Sequence, residues 1–292
     1  MNWPAETRAF VPIALVSAVA LGAFPSAIPQ WLQVTLLALG VVILGLPHGA
    51  LDPAIAGRAG LVKSSASLWA FNAGYTGVVL GVIALWWIAP VLSLILFLAV
   101  SAWHFAGDWR DTLPRWAQGV GGAGLLLLPI IFHTQEVADI FVMLSGPGGA
   151  VVAQTLAQLG WWVPLAMLFV ASFALVKRQW SSAMELTALV LIGIFAPPLV
   201  FFIIYFCSLH SPRHLREHFQ RADASEHKRL WRMLIVYTLA TLLLIIPMLW
   251  LWSSVSLSES IVRLVFVGLA ALTVPHMMLM VYAESKASKT QC

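Results

Sequence analysis

Long apolar stretches, separated by short polar connectors, run along the chain from residue 10 almost to its end. A helix needs about 20 mostly apolar residues to cross the core of a bilayer. The stretches are too long and too continuously apolar for the strands of a membrane barrel. The pattern therefore predicts an all-α, polytopic bundle of about ten transmembrane helices. The predicted spans are residues 9–24, 30–46, 66–88, 90–107, 116–132, 151–176, 183–196, 199–219, 233–252 and 261–283.

Proline and glycine mark the breaks between spans that hydropathy alone leaves open. Pro197 and Pro198 separate the short span 183–196 from the next one. Residues 137–144 precede a glycine-rich turn, and we interpret them as a re-entrant or interfacial segment. The apolar run at residues 10–23 is interpreted as the first helix rather than as a signal peptide. We expect a single integral membrane domain over residues 1–292.

Composition and charge agree with a membrane protein. Hydrophobic residues make up 61% of the 292 residues, and charged residues only 10%. Cytoplasmic loops of membrane proteins are enriched in lysine and arginine. When the N-terminus is placed inside, Arg263 is the only basic connector residue outside, so we expect a multi-pass inner-membrane protein with both termini cytoplasmic. The net charge of +4 then belongs to loops, and we expect no nucleic-acid partner.

Four histidines fall at one depth in this layout. His48 lies at the inner end of the second predicted span, His104 at the inner end of the fourth, and His210 and His214 toward the inner end of the eighth. Residues four apart share a helical face, although Pro212 should bend or re-aim it. Any one of these histidines alone is as readily explained by a hydrogen bond between helices. Together they indicate a metal site, but imidazole ligands suit iron, zinc, copper and nickel alike.

The remaining histidines carry weaker signals. His276 follows Pro275 in the last span and could approach the same layer, but a packing role is favoured. His133 is assigned to the opposite side of the membrane. His218 and His227 belong to the basic inner loop, where solvated roles are expected.

Two acidic residues share a spacing with the candidate ligands. Asp52 is four residues after His48, and Asp108 is four after His104. A carboxylate that accepts the second N–H of a metal-bound imidazole fixes its orientation, so both acids are candidates for this supporting role. It is equally open that they only mark helix ends at the membrane interface.

Aromatic residues surround the candidate ligands. They suit a long apolar substrate that enters from the lipid, although ordinary packing and interfacial anchoring explain each of them equally well. The candidate tunnel residues are Trp103, Phe105, Tyr205 and Phe206.

Three short motifs carry a resemblance to a known family. They are PHGALD at residues 47–52, WHFAGDW at 103–109 and HSPRH at 210–214. In this combination and order the chain resembles the Brp/Blh family of β-carotene 15,15′-dioxygenases. Ala106 stands where the family motif is expected to carry glycine.

The resemblance implies an Fe(II)-dependent membrane enzyme that cleaves the central double bond of β-carotene with O2. The products would be two molecules of all-trans retinal, which can supply a retinal-binding rhodopsin. No catalytic residue beyond the metal site is implied. The family's iron ligands fall on His48, His104, His210 and His214.

Two other functions remain as alternatives. A membrane di-iron desaturase or hydroxylase needs more histidine clusters with adjacent pairs, and the sequence has no such pair. A retinal-binding opsin needs a lysine within a span for its Schiff base, whereas all lysines fall in predicted loops or the tail. A transporter with histidine proton relays stays open, and metal analysis would separate it from the enzyme.

Overall fold

The structure is a computed structural model that describes residues 3–25, 27–251 and 255–290; the side chains of residues 48, 245–251 and 287–290 lie outside the description. The described residues form helices and no strands, which confirms the all-α prediction. The α-helices are α1 Ala5–Ala23, α2 Gln30–Gly40, α3 Leu46–Gly49, α4 Asp52–Arg58, α5 Ser65–Ile88, α6 Pro90–Ala106, α7 Arg115–Phe132, α8 Thr134–Ser145, α9 Gly148–Gly160, α10 Val163–Val176, α11 Trp180–Phe195, α12 Pro198–Tyr205, α13 Ser211–Gln220, α14 His227–Leu251 and α15 Leu257–Thr290.

Several of these helices are long and apolar enough to cross a membrane. Among the described residues, five single helices meet this description, and a sixth span results if the bent pair α9–α10 counts as one. The five are α1, α5, α6 with the turn that follows it, α7 and α15. The count of about ten spans and the side on which the termini lie stay predictions.

One predicted span is wrong as a continuous helix. Residues 151–176 form two helices, α9 and α10, which meet at an angle of 51°. The break falls at Trp161 and Trp162, between Gly160 and Pro164, where the proline cannot donate a backbone hydrogen bond to the preceding turn.

The segment predicted to be re-entrant or interfacial is a regular helix. It forms α8, which packs along α9. Gly146 makes the turn between them with a φ of 74°, a left-handed conformation that favours glycine. The two helices form a tight hairpin against α6 and α7.

Close contact between α6 and α7 sets the position of the helix that carries His104. A Cβ atom on Gly122 of α7 would overlap the carbonyl oxygen of Ala102, so only glycine permits this approach of the two backbones. Small residues at helix interfaces allow such packing in membranes. His104 lies two residues beyond Ala102, at the buried end of α6.

Two π-helical turns lie at the start of histidine motifs. Val41–Gly45 joins α2 to α3, and Phe206–His210 joins α12 to α13. The two turns lie side by side, and the hydroxyl of Ser211 donates a hydrogen bond to the carbonyl of Leu44. Pro212 lies directly after the second π turn; His210 and Ser211 keep helical φ and ψ angles, so the helix continues through the proline.

Candidate metal centre

Three buried histidines from two regions of the chain converge on one point. His104 comes from the end of α6, His210 from the end of the second π turn, and His214 from α13. One ring nitrogen from each lies within 4.8 Å of the others. These three residues can hold a metal ion, and all three are among the four predicted ligands.

The spacing of the imidazole nitrogens fits a shared ion. Nε2 of His104 lies 3.1 Å from Nε2 of His210. Imidazole binds zinc and similar divalent ions at about 2.1 Å, so two nitrogens on one ion are about 3.0 Å apart at a right angle and about 3.4 Å apart in a tetrahedron. His48, the fourth predicted ligand, has its backbone in α3, but its side chain lies outside the described residues.

Asp108 contacts two of the three clustered histidines. Its carboxylate is buried; Oδ1 lies 3.0 Å from Nδ1 of His210 and 3.5 Å from Nε2 of His214. Tyr205 donates a hydrogen bond of 2.5 Å to Oδ2. A carboxylate on Nδ1 keeps the proton there, so Nε2 is the nitrogen that can coordinate a metal. The partner of Asp108 is thus His210 on another helix, whereas the sequence spacing pointed to His104.

The backbone carbonyl of Asp108 also contacts a buried ionic network that the sequence did not predict. Arg213 donates to the backbone carbonyl of Asp108 at 2.8 Å and to the carboxylate of Glu185 in α11 at 2.6 Å. Glu185 also accepts from the indole of Trp109 at 3.0 Å. A second carboxylate, that of Glu6 in α1, lies 3.4 Å from Arg213. The network ties α1, α11 and α13 to the turn that carries Asp108.

Among the described side chains, the second predicted supporting acid, Asp52, contacts two residues that the sequence spacing did not suggest. Its Oδ1 lies 2.7 Å from Nδ1 of His276 in α15, and its Oδ2 accepts a hydrogen bond of 2.8 Å from Tyr75 in α5. The ring of His276 stands edge-on to that of His104, with 5.3 Å between ring centroids. His276, for which packing was favoured, therefore lies beside the candidate ligands.

An apolar cavity of about 410 Å³ opens on this cluster. Its wall includes His104 and His276, and it extends from Val137 and Phe141 in α8 to Tyr237 in α14. Most of the remaining wall is aliphatic or aromatic, which suits a long hydrocarbon better than a polar metabolite.

The four predicted tunnel residues divide between different places. Phe105 and Phe206 line the apolar cavity. Tyr205 instead is fully buried against Asp108, because its hydroxyl finds a carboxylate partner there. Trp103 is 58% exposed and lines a separate, more polar pocket that also reaches His104. The prediction of a tunnel position therefore needs correction for Tyr205 and Trp103.

The histidines assigned to other roles lie in three settings. His133 is at the junction of α7 and α8, 3.6 Å from Glu136. His227 begins α14, with Nε2 3.1 Å from the carbonyl oxygen of Phe219. His218 is only 5% exposed, so the expected solvated position is wrong. The reason is that α13 packs against α3 rather than extending into solvent.

Comparison with known sequences identifies the family. A sequence model of the family described as "Beta-carotene 15,15′-dioxygenase" matches residues 39–282. The chain belongs to the β-carotene 15,15′-dioxygenase family. It is an enzyme of this class, and the matched region contains every residue of the imidazole cluster.

Two relatives show how similar this chain is to named proteins of the dioxygenase family. A protein of uncultured marine bacterium 66A03 named "Beta-carotene 15,15′-dioxygenase" is 31% identical over 250 residues, which cover 82% of this chain and 90% of that protein. A Halobacterium salinarum protein named "Probable beta-carotene 15,15′-dioxygenase Blh" is 28% identical over 207 residues, which cover 61% of this chain and 60% of that protein. No solved structure was found to match this dioxygenase.

Proposed function

We propose that this dioxygenase cleaves the 15,15′ double bond of β-carotene with O2 and releases two molecules of all-trans retinal. The cofactor would be one Fe(II) ion held by His48, His104, His210 and His214. β-Carotene is the substrate in the names of both relatives. One carbon–carbon double bond breaks and two aldehyde groups form, so one O2 balances the reaction.

The observation that carries this proposal is the meeting of a polar cluster with an apolar cavity. His104 belongs both to the group of three imidazoles and to the cavity wall. A polyene lying in the cavity would thus pass directly beside the metal-binding nitrogens. Cavities of this kind orient apolar ligands through shape and through a few fixed polar groups.

The residues of the chain divide the work in this proposal. Bound Fe(II) would supply the activation of O2. Asp108 holds the proton on Nδ1 of His210, and Tyr205 and Arg213 hold Asp108 in turn. Phe105 and Phe206 exclude water from the cavity next to the cluster. Such support keeps ligands in the geometry that the metal requires.

The proposed location is the cell inner membrane, with one multi-pass domain over the whole chain. β-Carotene dissolves in the lipid phase, so a site reached through an apolar cavity between helices suits its delivery. Retinal formed there would be available to a retinal-binding rhodopsin in the same bilayer.

The proposal predicts that membranes of β-carotene-producing cells lose colour and accumulate retinal when this protein is expressed. The reason is that the cavity and the imidazole cluster lie together. Carotenoids and retinal would be extracted and quantified by liquid chromatography. Cells expressing His210→Ala at the same level serve as the control, because this variant removes a nitrogen from the cluster.

Retention of all β-carotene, with folded protein, oxygen and iron present, would contradict the proposal. The same preparation separates the alternatives. A transporter with histidine relays would purify without stoichiometric metal, and a desaturase or hydroxylase would yield modified carotenoids of unchanged carbon number.

A further inference from the structure

We propose that His276 is an additional metal ligand, on the side of the centre that faces the apolar cavity, and that Asp52 orients it. This inference rests on the metal centre proposed above and adds a residue to it. It assigns to the last helix, α15, a direct part in the site.

The first support is proximity. The ring centroid of His276 lies 5.3 Å from that of His104, slightly closer than the 5.6 Å between His104 and His214. His214 already contributes a nitrogen to the cluster. His276 lies outside the group of three nitrogens within 4.8 Å of one another; brought in by a different helix, its ring would reach the ion from the side of His104.

The second support is that the same arrangement of side chains is built twice. Asp108 places Oδ1 at Nδ1 of His210 and accepts on Oδ2 from Tyr205. Asp52 places Oδ1 at Nδ1 of His276 and accepts on Oδ2 from Tyr75.

In each of these two sets of side chains, the tyrosine holds the carboxylate and the carboxylate holds one imidazole nitrogen. Metal-bound histidines nearly always have such a partner on the nitrogen that does not coordinate. With Nδ1 engaged, Nε2 is the atom of His276 that can bind the ion.

The third support is burial. His276 is 3% exposed and Asp52 is 1% exposed, within helices that are otherwise largely apolar here. Removing an acid and an imidazole from water is costly, and apolar residues of similar size would pack at least as well. A pair kept at this depth beside His104 is better explained by coordination than by packing.

The position also has a chemical consequence. His104, His276, Asp52 and Tyr75 all line the apolar cavity, whereas His214 lines the separate polar pocket. His276 would therefore close the coordination sphere on the substrate side. Its removal should change the metal environment even where the other ligands still retain an ion.

The test is metal binding by the purified full-length protein in detergent, with Co(II) as a coloured probe and Fe(II) measured in parallel. His276→Phe keeps a ring for packing but removes the nitrogen, and His276→Gln keeps a polar group. We expect each to weaken Co(II) binding by about tenfold or more and to shift the visible absorption bands of bound Co(II). His133→Phe is the matched control and should bind as the wild type does.

Tyr75→Phe and Asp52→Asn test how much each of these supporting residues contributes to metal binding. We expect Tyr75→Phe to weaken binding least and Asp52→Asn to lie between it and His276→Phe. Full Co(II) affinity with an unchanged spectrum in folded His276→Phe or His276→Gln would overturn the inference and leave the Asp52 pair as a tether between helices. If only one of the two variants folds, that variant decides.

A His210→Ala arm separates this inference from the wider proposal. If His210→Ala and His276→Phe both bind Co(II) as the wild type does, the proposed metal centre itself fails. If His210→Ala loses the metal and His276→Phe does not, only the role of His276 is rejected.

Discussion

Single imidazole nitrogens decide whether this protein can hold a metal. Each of His104, His210 and His214 contributes one nitrogen to a cluster that spans 4.8 Å. Replacing any of them with alanine should abolish retinal formation and lower bound iron, because no neighbouring side chain can take the vacated position without a helix moving. The same is expected for His48, the remaining predicted ligand.

Iron content and retinal yield would be measured on protein that elutes as a single species in detergent. His133→Ala and His227→Ala are the controls, since these residues contact Glu136 and the carbonyl of Phe219 instead. Wild-type iron and activity in one of the cluster variants would remove that residue from the ligand set. Loss of both in His133→Ala would show that the sequence-based topology is wrong.

Sequence reasoning found these histidines because their depth, spacing and motifs agree. It did not find the pairing of Asp52 with His276 or of Asp108 with His210. Each pair joins residues more than 100 positions apart, whereas a spacing of four residues relates only neighbours along one helix. Arg213 and Glu185 were missed for the same reason, because neither belongs to a motif that is read locally.

Among the helices, α1, α11 and α13 are joined by the network around Arg213. Removing one partner of a buried ion pair costs about 3–5 kcal/mol, because the other charge stays buried without compensation. Glu185→Leu should therefore lower the thermal midpoint of the detergent-solubilised protein strongly, since its carboxylate also accepts from Trp109 and Thr7. Intrinsic tryptophan fluorescence during heating would report this.

The matched control for Glu185→Leu is Glu217→Leu. Glu217 pairs with Arg221 at 3.5 Å, with side chains 26% and 59% exposed. Exposed pairs contribute about 0–1 kcal/mol, so the midpoint should hardly change. Equal midpoints for the two variants would mean that the Arg213 network does not stabilise the bundle.

The helices themselves were largely predictable. Apolar runs and the Pro197–Pro198 pair located α11 and α12 closely. The bend between α9 and α10 was not found, because its two tryptophans are as apolar as the spans they separate. The tight hairpin of α8 and α9 was missed because residues 137–144 are too few to suggest a span, and the packing that supports them comes from other helices.

For the molecule as a whole, the cavity through the bundle should limit the length of substrate that fits. Val137 of α8 is 4% exposed and lines this cavity together with residues of α14. Val137→Trp should lower the retinal yield from β-carotene by about tenfold or more, since a change of one methylene in such a pocket already has an effect of about 1–3 kcal/mol.

Bound iron should be unchanged in Val137→Trp, because the substitution alters the cavity wall and removes no nitrogen from the imidazole cluster. Val176→Trp, at a position that is 80% exposed, provides the control with the same change of volume. A normal retinal yield from Val137→Trp would show that β-carotene does not use this part of the cavity.

The two π-helical turns make the length of the chain, rather than only its composition, a requirement for function. Val41–Gly45 lies just before one histidine motif, Phe206–His210 ends on the first histidine of another, and the two turns lie against each other. A π-helical turn holds about one residue more than an α-helical turn, so removing a residue would convert the turn to α-helix and redirect the side chains within it, including that of His210 in the second turn. His210 would then leave the cluster although every histidine remained in the sequence. Surface connectors tolerate gains and losses of residues, but the number of residues in these two turns should be fixed by the site.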